Sequence, residues 1–399
     1  MFLLLVSRFH KHAGTWLSPI LLNMGLLDEL ITGIPVVALP LLRDRLGLDY
    51  VQIGFLFTAA AFSGMLVEPF INLLSDRRAK KTWILWGLVL LAGAFVLIGN
   101  LTSYPLLLLA FVVSFPAGGA AVDLSQAVLI DAAPGDGSRI MTRWTLLSSI
   151  GDFLAPLVVT IFVALHLGWT ELCWLAAALW FLAALLLAPL RFPARYSDRE
   201  AQEDAEETGL WKGLREALRD PSLLRWAAIS VIPTMLDEVF LSFVVLYLRD
   251  ALHVSEALIS LIVVLQMAAS FTSLFLLEHL LKRRQLSSTR LLAWSSFVAL
   301  VGVLGLLIIH PLWLVVGALL VISASCASWY PLAMGEAYAR KPERSGVVRV
   351  VVGLGNPFEM ALPGVIGLIC ARFGILAGLG VLGLAPVLVL VLLPHRRAE

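Results

Sequence analysis

The chain has 399 residues, of which 60% are hydrophobic and 14% charged. Soluble domains carry about 25% charged residues, and a chain of this length has no interior large enough to hide so much apolar surface, so a water-soluble globular protein is excluded. The formal net charge of +1 is nearly neutral; what informs is where the charges fall, and no nucleic-acid partner is expected.

Apolar segments of about 20 residues, long enough to cross a bilayer, recur at 17–41, 52–74, 82–100, 104–130, 144–165, 169–190, 225–248, 256–281, 289–309, 311–335, 350–370 and 374–394. They predict an all-α polytopic membrane protein with twelve transmembrane helices. The opening "MFLLLV" is too short for a signal-peptide core, and no cleavage is expected. Cationic side chains set the orientation. With the N-terminus inside, 25 of the 29 Lys and Arg fall on inner segments, and only Arg43, Arg45, Arg249 and Arg372 on outer loops. Both termini are therefore expected to be cytoplasmic.

The longest polar stretch, 191–224, divides six segments from six. Its "GLWKGLREALRD" portion places Leu210, Trp211, Leu214, Ala217 and Leu218 at helical spacing, which predicts an amphipathic helix on the inner membrane surface. The expected domains are an N-terminal six-helix bundle over 1–190, this linker, and a C-terminal bundle over 225–399. The halves repeat: "RDRLGLDYVQIG" at 43–54 aligns with "RDALHVSEALIS" at 249–260, "LDE" at 27–29 with "LDE" at 236–238, and "GDFLAP" at 151–156 with "FEMALP" at 358–363. An even helix count per copy gives parallel repeats related by an axis along the membrane normal.

The loop after the second segment reads "NLLSDRRAKK", 72–81. It resembles the signature loop of the major facilitator superfamily, Gly-x-x-x-Asp-Arg-x-Gly-Arg/Lys-Arg/Lys, with Asp76, Arg77, Lys80 and Lys81 matching and Asn72 and Ala79 where the family has glycines. The resemblance implies a gate loop made of those four charged residues. "GDFLAPLVVT" resembles the fifth-helix motif of drug:proton antiporters through Gly151 and Pro156. The fourth segment lacks the arginine that many such antiporters carry. The "YVQIG" opening of the second segment is similar to fosmidomycin-resistance-type exporters.

Two acidic pairs interrupt the oil: Asp28–Glu29 in "GLLDELITGIP" and Asp237–Glu238 in "TMLDEVFLSFV". At 1.5 Å per residue each aspartate lies roughly 17–18 Å into its helix, near the middle of a core about 30 Å thick. A charge there costs on the order of 2.5–3.5 kcal/mol, and burial disfavours the ionised form. Such a carboxylate is a candidate proton carrier or counter-charge for a cation; the alternative is a helix-packing bond. In this superfamily helices 1, 4, 7 and 10 line the cavity, so Asp28, Glu29, Asp237 and Glu238 are candidates there, with Asp123, Gln126 and Tyr330. Asp152 and Glu359 are counterparts in helices 5 and 11, suited to coupling or to interhelical bonds. Glu68 and Glu336 lie near inner helix ends, within reach of arginines such as Arg139, Arg143 or Arg349. No lysine or arginine is expected deep within a span, so the excess of acids favours neutral or cationic substrates over anions.

The expected function is secondary active transport: proton-coupled export of small neutral or cationic organic molecules by alternating access. A carrier for a sugar-like or lipid-like solute, with import open, is the other transport reading. A membrane-embedded enzyme is disfavoured, because the seven histidines sit near helix ends or in loops and there is no metal-ligand spacing or nucleophile turn. No nucleotide-binding motif is present. Cysteines 173, 326 and 370 are scattered and read as packing residues. No cofactor or metal is expected; the partners are substrate, protons and lipid. The chain is expected to be a monomer in a bacterial inner (plasma) membrane.

Overall fold

The computed structural model describes residues 13–48, 50–75, 80–133, 136–192, 210–282, 287–308, 311–341 and 344–394. Among them are twelve helical spans long and apolar enough to cross a membrane. In chain order they are Trp16–Pro35, Phe55–Ser75, Lys80–Asn100, Tyr104–Asp131, Gly137–Ala164, Trp169–Leu187, Pro221–Ala251, Leu261–Lys282, Ser288–Ile308, Leu312–Arg340, Ser345–Phe373 and Ile375–Leu392, numbered spans 1 to 12 below. A short helix, Leu210–Ala217, lies within the linker.

Several spans depart from a regular helix where the sequence removes a backbone donor or a side chain. In span 4, Pro116 and the glycines at 118 and 119 lead into a π-helical turn, Gly119–Asp123, before α-helix resumes at Leu124. Such turns re-aim the side chains beside them, and Asp123 ends this one. Span 7 breaks at Asp237, whose φ of −102° and ψ of −103° are not helical; Pro233 starts the short piece before it, and the Asp237 N–H donates to the Pro233 carbonyl at 3.0 Å. Span 11 is interrupted between Gly353 and Asn356.

The chain divides into two compact units that do not follow the linker alone. The first comprises Met1–Pro134, Leu147–Arg215 and Glu343–Val350; the second comprises Gly135–Leu146, Glu216–Pro342 and Val351–Glu399. The first turns of span 5 thus belong to the second unit, and the first turns of span 11 to the first.

Inside the first unit, close helix approach depends on missing side chains, the usual basis of packing between membrane helices. A Cβ on Gly87 of span 3 would stand 2.7 Å from the Ala121 nitrogen in the π-turn. A Cβ on Gly151 of span 5 would collide with the Leu26 carbonyl of span 1, and one on Gly33 would come 2.6 Å from Ala155. Trp169 donates to the Ile98 carbonyl at 3.1 Å, and Arg45 bonds the Gly99 carbonyl and Thr170, tying spans 3 and 6 together at one end. In the second unit, Trp329 of span 10 donates to Ser295 of span 9 at 3.0 Å.

Candidate functional site

The first unit gathers an acidic cluster from four spans. Asp28 on span 1, half-buried, is within electrostatic range of Asp123 on span 4, Asp152 on span 5 and Arg349. Glu68 on span 2 is within range of Asp123, Arg349 and Asp28. The glycines at 64 and 119 leave room for it: a Cβ on Gly119 would lie 2.7 Å from the Glu68 Cγ. Arg349 pairs with Asp123 and donates a second, long bond of 3.5 Å to the Gln126 side-chain carbonyl. Among the described residues, Asp28, Glu68 and Asp123 thus share the field of Arg349, with Asp152 beside Asp28.

Arg349 corrects an expectation. The polar run "KPERSG" made the eleventh span appear to begin at residue 350, which put Arg349 in a loop. Helix instead starts at Ser345, and the apolar span runs Ser345–Phe373, so a cation lies within a span. The signal was present in "SGVVRVVVG", an apolar helical stretch carrying Arg349 in its middle.

A second charged group in this unit is built around Lys80, one of the signature-loop candidates; its partners Asp131 and Ser345 were not singled out from the sequence. Lys80, at the start of span 3, pairs with Asp131, at the end of span 4, at 2.9 Å; their side chains are only 2% and 3% exposed. Ser345 bridges them, accepting from Lys80 at 2.6 Å and donating to Asp131 at 2.8 Å. Lys81 has a different task, donating to the Ala188 and Leu190 carbonyls just beyond the end of span 6 at 2.7 and 2.8 Å. Cations suit a helix C-terminus, whose carbonyls lack partners. Asp76 and Arg77, the other two candidates of the signature loop, lie outside the described residues.

Glu29 follows Asp28 on span 1, half-buried, with its Cβ beside Gly151 of span 5. The second unit holds the remaining candidates. Asp237 is exposed at the break in span 7, near the Cys326 thiol, which itself donates to the Pro233 carbonyl at 3.8 Å. Glu238 opens the next helical piece, and its side chain lies outside the described set. Glu359 of span 11 accepts from Thr234 of span 7 at 2.9 Å. Tyr330 is half-buried in span 10. Arg139 and Arg143 of span 5 meet Glu278 of span 8 at 3.2 and 2.8 Å; Glu278 was not singled out from the sequence. Among the described residues no group of three or more His, Cys, Asp or Glu is arranged to hold a metal ion.

Twelve apolar spans with charged groups held among them define a polytopic membrane protein of the transporter type. Residues 21–367 match the model of the Major Facilitator Superfamily, and the chain belongs to that superfamily. No curated protein matches the sequence. Among solved structures, the chain resembles the fucose:proton symporter FucP of E. coli, at 16% identity and a TM-score of 0.79 over 94% of this chain and 97% of that one. It also resembles the human organic anion transporter MFSD10, at 16% identity and a TM-score of 0.72 over 95% and 99% of the two chains. For the proton:xylose symporter XylE the identity is 15% and the TM-score 0.68, over 94% of each chain. At such identities the likeness establishes the fold. The protein is an integral membrane transporter of this superfamily, whose members carry small molecules, often with protons.

Proposed function

We propose that the protein is a proton-coupled exporter of small neutral or cationic organic molecules, and that the acidic cluster of the first unit is its coupling site. The observation that carries this reading is the excess of acid among the described residues there: Asp28, Glu68, Asp123 and Asp152 with Arg349. A cluster so unbalanced inside a membrane is relieved by protons or by a bound cation. When the two exclude each other, binding one from one side releases the other, which is the logic of an antiporter. The motif of span 5 around Gly151 and Pro156 supports export. The distribution of lysine and arginine supports an orientation with both termini in the cytoplasm.

The test uses purified protein in proteoliposomes with an imposed pH gradient and ethidium, a permanent fluorescent cation, alongside a panel of neutral compounds. Proton movement accompanying solute movement, lost when the gradient is collapsed, is the expected result. Solute movement indifferent to the gradient, with no proton release on binding, would overturn the reading.

A further inference from the structure

Two ion pairs among the described residues of the first unit differ in how well they are sealed. Lys80–Asp131 is closed to solvent at 2% and 3% exposure. Arg349–Asp123 is open, at 23% and 17%. A pair reached by solvent exchanges partners at far lower cost than one that must leave a charge stranded. The backbone carrying Arg349 is nonetheless fixed. Ser345 is bonded to Lys80 and Asp131, and Val347 and Val348 are 4% and 0% exposed. Only the flexible stem of Arg349 is left to move. Arg349 pairs with Asp123, and its contact to Gln126 is long at 3.5 Å.

We propose that Arg349 is the specificity-determining residue of the cluster: a tethered cation that occupies Asp123 when no substrate is bound, and that a cationic substrate must displace. This rests on the cationic branch of the function proposed above. It assigns Arg349 a role distinct from that of a fixed structural pair. Asp28, Glu68, Asp123 and Asp152 attract any cation, and the guanidinium sets the threshold. A weakly attracted solute fails to dislodge it, and a cation that matches the remaining carboxylates succeeds. One direct consequence is that removing the guanidinium strengthens binding, the opposite of what loss of an ordinary binding residue does. A second is that the cluster then holds more protons at rest, because a compensating charge has gone.

The experiment measures ethidium affinity by fluorescence, and protons released on binding, for the purified full chain at neutral pH. Arg349→Gln is expected to bind ethidium about tenfold more tightly than wild type and to release more protons per ethidium bound. Arg349→Lys keeps the charge but loses the fork onto Gln126, and is expected to fall between them, about threefold tighter than wild type. Unchanged or weaker binding by an Arg349→Gln protein that melts like wild type overturns the proposal. Should that variant fail to fold, Arg349→Lys decides: unchanged or weaker binding there overturns it equally. If neither wild type nor any variant binds ethidium, the cationic branch of the proposed function falls as well. Binding that ignores Arg349 removes this inference alone.

Discussion

Asp28 and Asp237 occupy matching places in the two sequence repeats, but their surroundings differ. In the first unit Asp28 sits within an unbroken helix, half-buried, in a field of three other carboxylates and one arginine. In the second, Asp237 stands exposed at a break in span 7, while the neighbouring Thr234 hydroxyl is given to Glu359. The same contrast runs through the salt bridges. Lys80–Asp131 in the first unit is sealed and bridged by a serine, whereas Glu278 in the second serves two arginines with 18–43% of the side chains exposed. Duplication copied the residues, and later divergence of their neighbours separated their environments. A charge in the first unit should therefore be worth more than its counterpart in the second.

The sharpest way to break that comparison is Lys80→Met. It leaves Asp131 and the Ser345 hydroxyl inside the protein without their cation, and loss of one partner of a buried pair costs about 3–5 kcal/mol. A large fall in the melting temperature of the purified protein is expected. The double variant Lys80→Met/Asp131→Leu should recover most of it, since removing both charges removes the stranded one. A small effect from the single variant would show that the pair is wetter than its geometry indicates.

Next comes Gly151→Val, which tests how the cluster is assembled. Its side chain would press on the Leu26 carbonyl and the Leu30 nitrogen, backbone atoms that have no rotamer to yield. Overpacking of this kind costs about 1–3 kcal/mol. Spans 1 and 5 would part, carrying Asp28 away from Asp152. Reduced thermal stability together with weaker proton release is expected; lost stability with unchanged proton release would place the coupling elsewhere.

A third comparison sets Asp28→Asn against Asp237→Asn. The amide keeps volume and hydrogen bonding but cannot ionise. Asp28→Asn should lower gradient-driven transport at least about tenfold, equivalent to ~1.4 kcal/mol, and Asp237→Asn should lower it less. Equal losses in proteoliposome flux would mean that both repeats still carry protons, and a larger loss at Asp237 would reverse the comparison.

The spans were legible because a bilayer demands about 20 apolar residues in a row, and a polar insertion inside such a run is visible at once. Asp28, Asp123 and Asp152 stand out for that reason. What a one-dimensional pattern does not carry is which charge answers which. Lys80 finds Asp131 across 51 residues and Ser345 across 265, distances with no periodicity to read. Arg349 was hidden by its neighbours, because lysine, proline, glutamate and arginine just before Ser345 resemble a loop and mask the first turn of helix. The break at Asp237 was equally unreadable. Pro233 announces a disturbance in span 7, but not that the helix would part four residues later.

The smallest expected effect is that of Glu278→Gln, which tests the second unit's half of the comparison. Arg139 and Arg143 converge on the same oxygen, Glu278 Oε1, with Arg143 Nε at 2.9 Å. The glutamine retains a carbonyl oxygen that can accept one of these bonds, so the loss is mainly of charge. Exposed pairs contribute about 0–1 kcal/mol, and with the Arg143 side chain 43% exposed the change should fall inside that range. Two arginines left side by side repel, but water screens them, and salt at about 1 M shortens the screening length to about 3 Å. Whatever destabilisation Glu278→Gln shows at low salt should therefore shrink as salt is added. Lys80→Met, whose stranded aspartate is out of reach of mobile ions, should keep its full effect. A Glu278→Gln loss as large as that of Lys80→Met, and equally insensitive to salt, would mean that both units seal their charges alike.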